Sequence, residues 1–254
     1  DYSAVSICPG EEYDWDAIFV DAQWLHISGI TLAISETAAH AAILAAGKAQ
    51  AAGVKVSCDL NFRKNLWRWR SGLDARNLAR KIMPDFLENV NVIIGNEEDA
   101  SDVLDIHAGD SDVHSGSLEI AHYPDVARQI AQRFNNVDQV AITLRESISA
   151  TYNNWGAMLY DVDSNTAVFS PMNGEQYKPF EIRNIVDRVG GGDSFAAGLI
   201  YAMTTKDFAT AQDHVDFAVA ASCLAHSIKG DFNFNSRVEV EALMHGNASG
   251  RVQR

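Results

Sequence analysis

The sequence predicts one α/β domain built on a mostly parallel sheet with helices on both faces, and three observations carry that prediction. Strand-like apolar runs alternate with longer helical runs along the chain, a pattern that calls for right-handed crossovers over a parallel sheet. Residues 17–61 read as a complete β-α-β unit. The 254 residues, 47% of them hydrophobic, suffice for one sizeable core, and no internal repeat divides them.

In order, "DYSAVSICPG" opens in a strand-like pattern, and "AIFVDAQWLHISGI" (17–30) is an apolar strand with its loop. "SETAAHAAILAAGKAQAAG" (35–53) is an Ala-rich helix opened by Ser35 and closed by Gly53. "VKVSCDLN" (54–61) is a buried strand. A helix around 74–89, a strand at 91–96, a helix at 97–106, a polar loop at 107–122, a helix at 124–134 and a strand at 139–145 follow. "AMLYDVDSNTAVFSP" (157–171) is a hairpin turning at Asp163–Asn165. "FEIRNIVDR" (180–188) then leads to helices at 193–204, 209–228 and 238–244. The loop 107–122 holds His107 and His114 without tight ligand spacing, so it reads as solvated rather than as a metal site.

Composition excludes several function classes. Acidic residues number 34 against 20 Lys and Arg, a formal charge of −14, so the summed field repels nucleic acid and anionic membrane surfaces. Cys8, Cys58 and Cys223 stand far apart with no CxxC pair, which suits a reducing cytoplasm. No membrane span and no secretion leader is visible. The chain begins at Asp1 rather than Met, and an N-terminal stretch is expected to be missing.

The most informative stretch is "DRVGGGDSFAAGL" (187–199), where Gly190, Gly191 and Gly192 run into a helix with Asp193 in its first turn. Bare glycine amides, added to the unpaired N–H groups and positive end of a helix, hold an anion, most often phosphate. The familiar phosphate loops do not account for it. GxxxxGK[ST] is absent, GxGxxG fails at Phe195, and G-x-S-x-G fails at Ala196. A first-turn carboxylate is most often a cap, but a cap needs no triple glycine. A base beside an anion hole does: the amides hold a transferring phosphoryl group while the carboxylate takes a proton from an attacking hydroxyl.

These residues resemble the C-terminal signature of the ribokinase-like, phosphofructokinase-B type carbohydrate kinases, written D-T-x-G-A-G-D. The resemblance implies a three-layer α/β/α sandwich across residues 1–254, ATP and Mg2+ as cofactors, Asp193 as catalytic base, and Gly190, Gly191 and Gly192 as the anion hole. Arg188 stands where the family usually has Thr, which puts a monovalent-cation site in doubt. "GNEEDA" (95–100) is similar to the family's N-x-x-E stretch near the magnesium-bound triphosphate. Asn96 matches, while Glu98 and Asp99 compete for a metal role exerted through water. The plain alternative is an Asn cap followed by acidic first-turn residues. "AITLRES" (141–147) lies where relatives have T-x-G near the nucleotide. Thr143 fits, and Arg145 either approaches phosphate or is a surface charge. "HSIKGDFN" (226–233) resembles the adenine-side loop, with Gly230, Asp231 and Asn233 as candidates, although G-D also marks an ordinary turn.

The substrate side is expected at "CDLNFRKNLWRWR" (58–70), the most basic stretch of the chain. It begins at the carboxyl end of a predicted parallel strand, which aims Asp59, Asn61 and Arg63 at the binding crevice. An Arg fork matches a carboxylate bidentately. Lys64, Arg68 and Arg70 read as solvated charges, and Trp67 and Trp69 as residues packed on neighbouring helices. D-L-N-F-R is similar to the sugar-acid branch of the family, and implies phosphorylation of 2-keto-3-deoxygluconate at its 6-hydroxyl. Fructokinase or ribokinase chemistry, or a silent nucleotide-binding homologue, are the alternatives. The partners implied are a sugar acid and ATP, with a homo-oligomer left open. Relatives begin with a Gly-Gly substrate motif and a small β-sheet lid, neither of which is recognisable here. Without a lid the chain is expected to bind nucleotide yet phosphorylate poorly.

Overall fold

The computed structural model describes residues 2–96, 98–107 and 120–246. It is an α/β fold, with a mostly parallel mixed sheet and helices on both sides. In spatial order the sheet's strands are Trp24–Ser28, Lys55–Asp59, Val92–Asn96, Gln139–Ser149, Tyr152–Asp161 and Thr166–Ser170, with Phe180–Arg183 paired to Tyr152–Asp161 as well. The described residues fall into two compact units, the first of residues up to 107, 120–142 and 160–166, the second of 143–159 and 167–246. His114, and with it most of the polar loop considered for a metal, lies outside the described residues.

The first unit holds α1 (Ala4–Ile7), α2 (Trp15–Phe19), β1 (Trp24–Ser28), α3 (Gly29–Ile34), α4 (Glu36–Ala51), β2 (Lys55–Asp59), α5 (Ala75–Leu87), β3 (Val92–Asn96), α6 (Asp99–Leu104) and α7 (Tyr123–Arg133). Strands β1, β2 and β3 run parallel, and the register places Ser28 beside Asp59 and Asp59 beside Ile94. Their carboxyl ends therefore stand in one row.

Helix α4 follows its sequence signals closely. Ser35 caps it, its hydroxyl accepting from the Ala38 N–H at 3.0 Å, and Gly53 follows it with a left-handed φ of 74°. The alanines at 38, 39, 41, 42, 45, 46 and 49 are buried, so one broad face of the helix is small enough to pack closely. Gly29, at the turn from β1 into α3, has its backbone pressed against the end of β2. A Cβ there would overlap the Leu60 carbonyl oxygen.

The strand-like opening of the chain is helical, and the strand expected within 17–30 is confined to β1, its first residues belonging to a helix. Residues 4–7 form α1, and residues 15–19 form α2, capped by Asp14, whose side chain accepts from the Ala17 N–H at 3.1 Å. Short apolar runs do not distinguish strand from helix by periodicity. Here the cap decides, and it places Trp15 and Phe19 four residues apart with their rings stacked at 5.8 Å.

The strands β4 (Gln139–Ser149) and β5 (Tyr152–Asp161) supply residues to both units and are longer than expected. Their extra length is polar, and a bond from Asn154 Nδ2 to Glu146 Oε2 at 2.7 Å ties it together. The second unit continues with β6 (Thr166–Ser170), the small hairpin β7 (Met172–Asn173) and β8 (Gln176–Tyr177), β9 (Phe180–Arg183), α8 (Gly191–Thr204), α9 (Ala211–Ala225) and α10 (Arg237–Met244). Helices α8 and α9 touch through small residues: a Cβ on Gly198 would stand 3.0 Å from Ala218 Cα. No described helix is long and apolar enough to cross a membrane.

Gly29 and Gly47 respond oppositely to a methyl group. Gly29→Ala forces backbone apart and lowers stability by about 2–3 kcal/mol. Gly47→Ala lies inside α4 with its nearest new neighbour 3.9 Å away, and raises stability by about 0.5–1 kcal/mol. Urea unfolding of the two variants beside the parent measures both shifts.

Candidate active site

In the first unit, the candidate substrate residues gather at the carboxyl ends of β2 and β3. Asp59 ends β2, half-buried, and Leu60 continues toward β3 with its N–H on the Ile94 carbonyl at 2.8 Å. Asn61 is left-handed, φ 38°, and its Nδ2 donates to Ser28 Oγ at 3.2 Å. Arg63 is exposed, and its carbonyl accepts from the Leu66 N–H at 2.8 Å in the turn that follows.

Asp99 organises this corner. It is buried, and its two oxygens divide between two segments: Oδ1 accepts from the Phe62 N–H at 3.0 Å, and Oδ2 from the Asn96 N–H at 2.9 Å. Burial raises its pKa, against which the two amides and the Arg63 charge act to hold the carboxylate ionised. Asn96 in turn accepts through Oδ1 from the Glu98 and Asp99 N–H groups at 2.8 and 2.9 Å. It thus closes a turn at the start of α6, the role of the plain alternative. Of the pair considered for a metal, Glu98 is exposed and Asp99 is turned inward. No group of three or more His, Cys, Asp or Glu among the described residues could hold a metal ion by itself. The neighbouring basic residues are surface charges as expected: Arg70 pairs with Glu36, and Arg68 bonds Asn65 Oδ1 at 2.9 Å. Trp67 is buried, and Trp69 donates to the Leu32 carbonyl at 3.1 Å.

In the second unit the glycine turn is built from three different constraints. Gly190 is the N-cap of α8 with φ 77°, and a Cβ there would lie 2.6 Å from the Asp231 carbonyl oxygen. At Gly191 a Cβ would meet His226 Cε1 at 2.9 Å. Gly192 has nothing within 4 Å of its missing Cβ and is exposed. The Ser194 N–H bonds the Gly190 carbonyl at 2.8 Å, which leaves the amides of Gly191, Gly192 and Asp193 at the head of the helix without intrahelical partners. The Asp193 carboxylate is exposed, and the helix start has no side-chain cap.

The turn is held from outside. Asp187 accepts from the N–H groups of Arg188, Val189 and Gly230 at 2.7, 3.1 and 3.0 Å, bonds that lower its pKa. Gly230 sits at φ 91° in this junction. Arg188 Nη2 donates to the carbonyls of Ser149 and Ala150 and to Asn153 Oδ1, at 2.7, 2.8 and 3.1 Å. Asn233 bonds the Ala221 carbonyl through Nδ2 at 3.1 Å, and its Oδ1 accepts from Asn235. Thr143 is buried, Arg145 exposed. Below the turn lies His226, its ring 5.3 Å from that of Trp155. Burial lowers the His226 pKa despite a bond to the Ser222 carbonyl, and the charges of Arg188 and Arg145 lower it further. Ser222 and His226 escaped sequence reading, although a Ser and a His four apart at the end of the small, apolar second half of a helix are a legible signal. A cavity of about 330 Å3 lined by Ser170, Gln212 and Asp216, among others, contains none of these residues.

The chain as a whole is similar to several known proteins. A solved 2-dehydro-3-deoxygluconokinase from Thermotoga maritima is 39% identical, with a TM-score of 0.80 over 96% of this chain and 66% of that one. A solved putative 2-keto-3-deoxygluconate kinase from Enterococcus faecalis is 25% identical, with a TM-score of 0.73 over 98% and 66%. A 2-dehydro-3-deoxygalactonokinase from Haloferax volcanii is 25% identical over 92% of this chain and 60% of its own length. The chain thus spans less than two thirds of the length of these relatives. The profile of the pfkB family carbohydrate kinases matches residues 156–236, the stretch that carries the glycine turn and the helix behind it, and the chain thus carries a pfkB family carbohydrate kinase domain.

Proposed function

We propose that the protein transfers the γ-phosphoryl group of ATP to the terminal primary hydroxyl of a 2-keto-3-deoxy sugar acid, with 2-keto-3-deoxygluconate as the substrate. The observation that carries this reading is the start of α8: three amides without helical partners, open space over Gly192, and an exposed carboxylate one residue on. Amides so placed suit a phosphoryl group whose charge grows in the transition state. Asp193 is the base. The acceptor hydroxyl gives its proton to the Asp193 carboxylate as its oxygen attacks the γ-phosphorus, and the bond to the β–γ bridging oxygen breaks.

Arg63 supports the choice of an acid sugar. It is an exposed guanidinium in a loop anchored through Phe62 to Asp99, and it pairs with the substrate carboxylate. Asp59 and Asn61 serve the substrate hydroxyls. Mg2+ carried on the triphosphate neutralises charge on the phosphates, held chiefly by phosphate and water as this ion prefers. Glu98 is the carboxylate free to bind that water shell, while Asp99 and Asn96 hold the backbone in place. On the nucleotide side, Thr143, Arg145, Gly230 and Asn233 complete the binding set.

Release of ADP, measured with 2-keto-3-deoxygluconate, fructose and ribose side by side, tests the reading. The sugar acid is expected to be preferred, and preference for a neutral sugar removes Arg63 from its role. Asp193→Asn is expected to lower kcat by about 1,000-fold or more while nucleotide affinity stays within a few-fold. An active Asn variant refutes the base. Arg63→Ala is expected to raise KM for the sugar acid by about 10- to 100-fold and to leave that for ATP unmoved. Equal effects on both would make Arg63 structural.

A further inference from the structure

Helix α9 carries a fully buried serine, Ser222, on the side that faces the glycine turn. A serine inside a helix commonly returns its hydroxyl to the carbonyl one turn back. Ser222 Oγ instead crosses to α8 and donates to the Gly191 carbonyl oxygen at 2.7 Å. It reaches that far because the two helices meet at Gly198, where a Cβ would stand 3.1 Å from the Ala221 Cβ.

The bond matters because of what shares its peptide. The Gly191 carbonyl and the Gly192 N–H belong to one planar trans unit and point in opposite directions. With glycine on both sides, this peptide lacks the side-chain restraint that most others have. Fixing the carbonyl therefore fixes the amide. His226 closes the remaining direction: its ring lies against Gly191, and its Nδ1–H donates to the Ser222 carbonyl at 2.8 Å, so both side chains move as part of α9.

We propose that Ser222 is a positioning residue for phosphoryl transfer, holding the Gly191–Gly192 peptide so that the Gly192 N–H points out of the helix start toward the phosphoryl group. This rests on the reading of the turn as the phosphoryl site. It adds a buried residue on which the aim of an anion-holding amide depends.

The test compares the parent protein with Ser222→Ala and with Ser222→Cys, a near-isosteric and weaker donor. Two readouts are needed: steady-state kinetics, and the Gly192 amide proton shift on adding inorganic phosphate. Ser222→Ala is expected to lower kcat by about 10- to 100-fold, with both KM values within about three-fold of the parent and the phosphate-induced shift at Gly192 at least halved. Ser222→Cys is expected to fall between. An unchanged kcat in the Ala variant, or a retained Gly192 shift, overturns the proposal. If the Ala variant does not fold, parent-like kcat and shift in the Cys variant overturn it, and an intermediate kcat with a weakened shift supports it. A parent protein whose Gly192 amide ignores phosphate and which turns over no sugar would instead defeat the reading of the turn itself.

Discussion

Amides at a helix start hold an external anion only while the fold leaves them unsatisfied, and the surroundings of the glycine turn respect that condition. Asp187 is the nearest internal competitor, and its oxygens are committed to the N–H groups of Arg188, Val189 and Gly230. Arg188, two residues before the turn, has its Nη2 engaged by two carbonyls and an amide oxygen. Both charged side chains are thus engaged by neutral polar groups rather than by the amides at the head of α8. What remains uncancelled is the helix end and Asp193.

The corner at β2 and β3 uses a different strategy. Burying Asp99 is costly, and the cost is offset because each oxygen receives a backbone N–H from a different segment. One carboxylate thereby fixes the Phe62 and Asn96 positions together. Arg63 and Glu98, the exposed groups, project from backbone that is held one residue away or closer to an anchored amide.

Much of this was legible in the sequence. Alternating runs announced the α/β sheet, Ser35 and Gly53 bounded α4 closely, and the triple glycine marked the helix start. Other features depend on tertiary context. The helices at 4–7 and 15–19 were hidden because short apolar runs fit either period. The polar ends of β4 and β5 gave no strand pattern, since Asn154 and Glu146 are joined to each other rather than to a core. For Asn96 and Asp99, sequence offered two roles, and only the folded chain brings both Asp99 oxygens onto backbone amides. Arg188 stood out merely as a departure, because its acceptors lie far back in the chain at Ser149, Ala150 and Asn153. Ser222 could be noticed but not aimed, since its partner lies on another helix.

The contact between His226 and Gly191 bears on how such a turn changes during descent. The signature motif resembled here has alanine in the middle place, whereas this chain has glycine there and an imidazole occupying the room a methyl group would need. The two positions draw on one volume, so neither can be exchanged freely. A lineage that restored the alanine would have to shrink or displace the ring as well. The identity of residue 191 is therefore a record of what stands behind it, not of the anion in front.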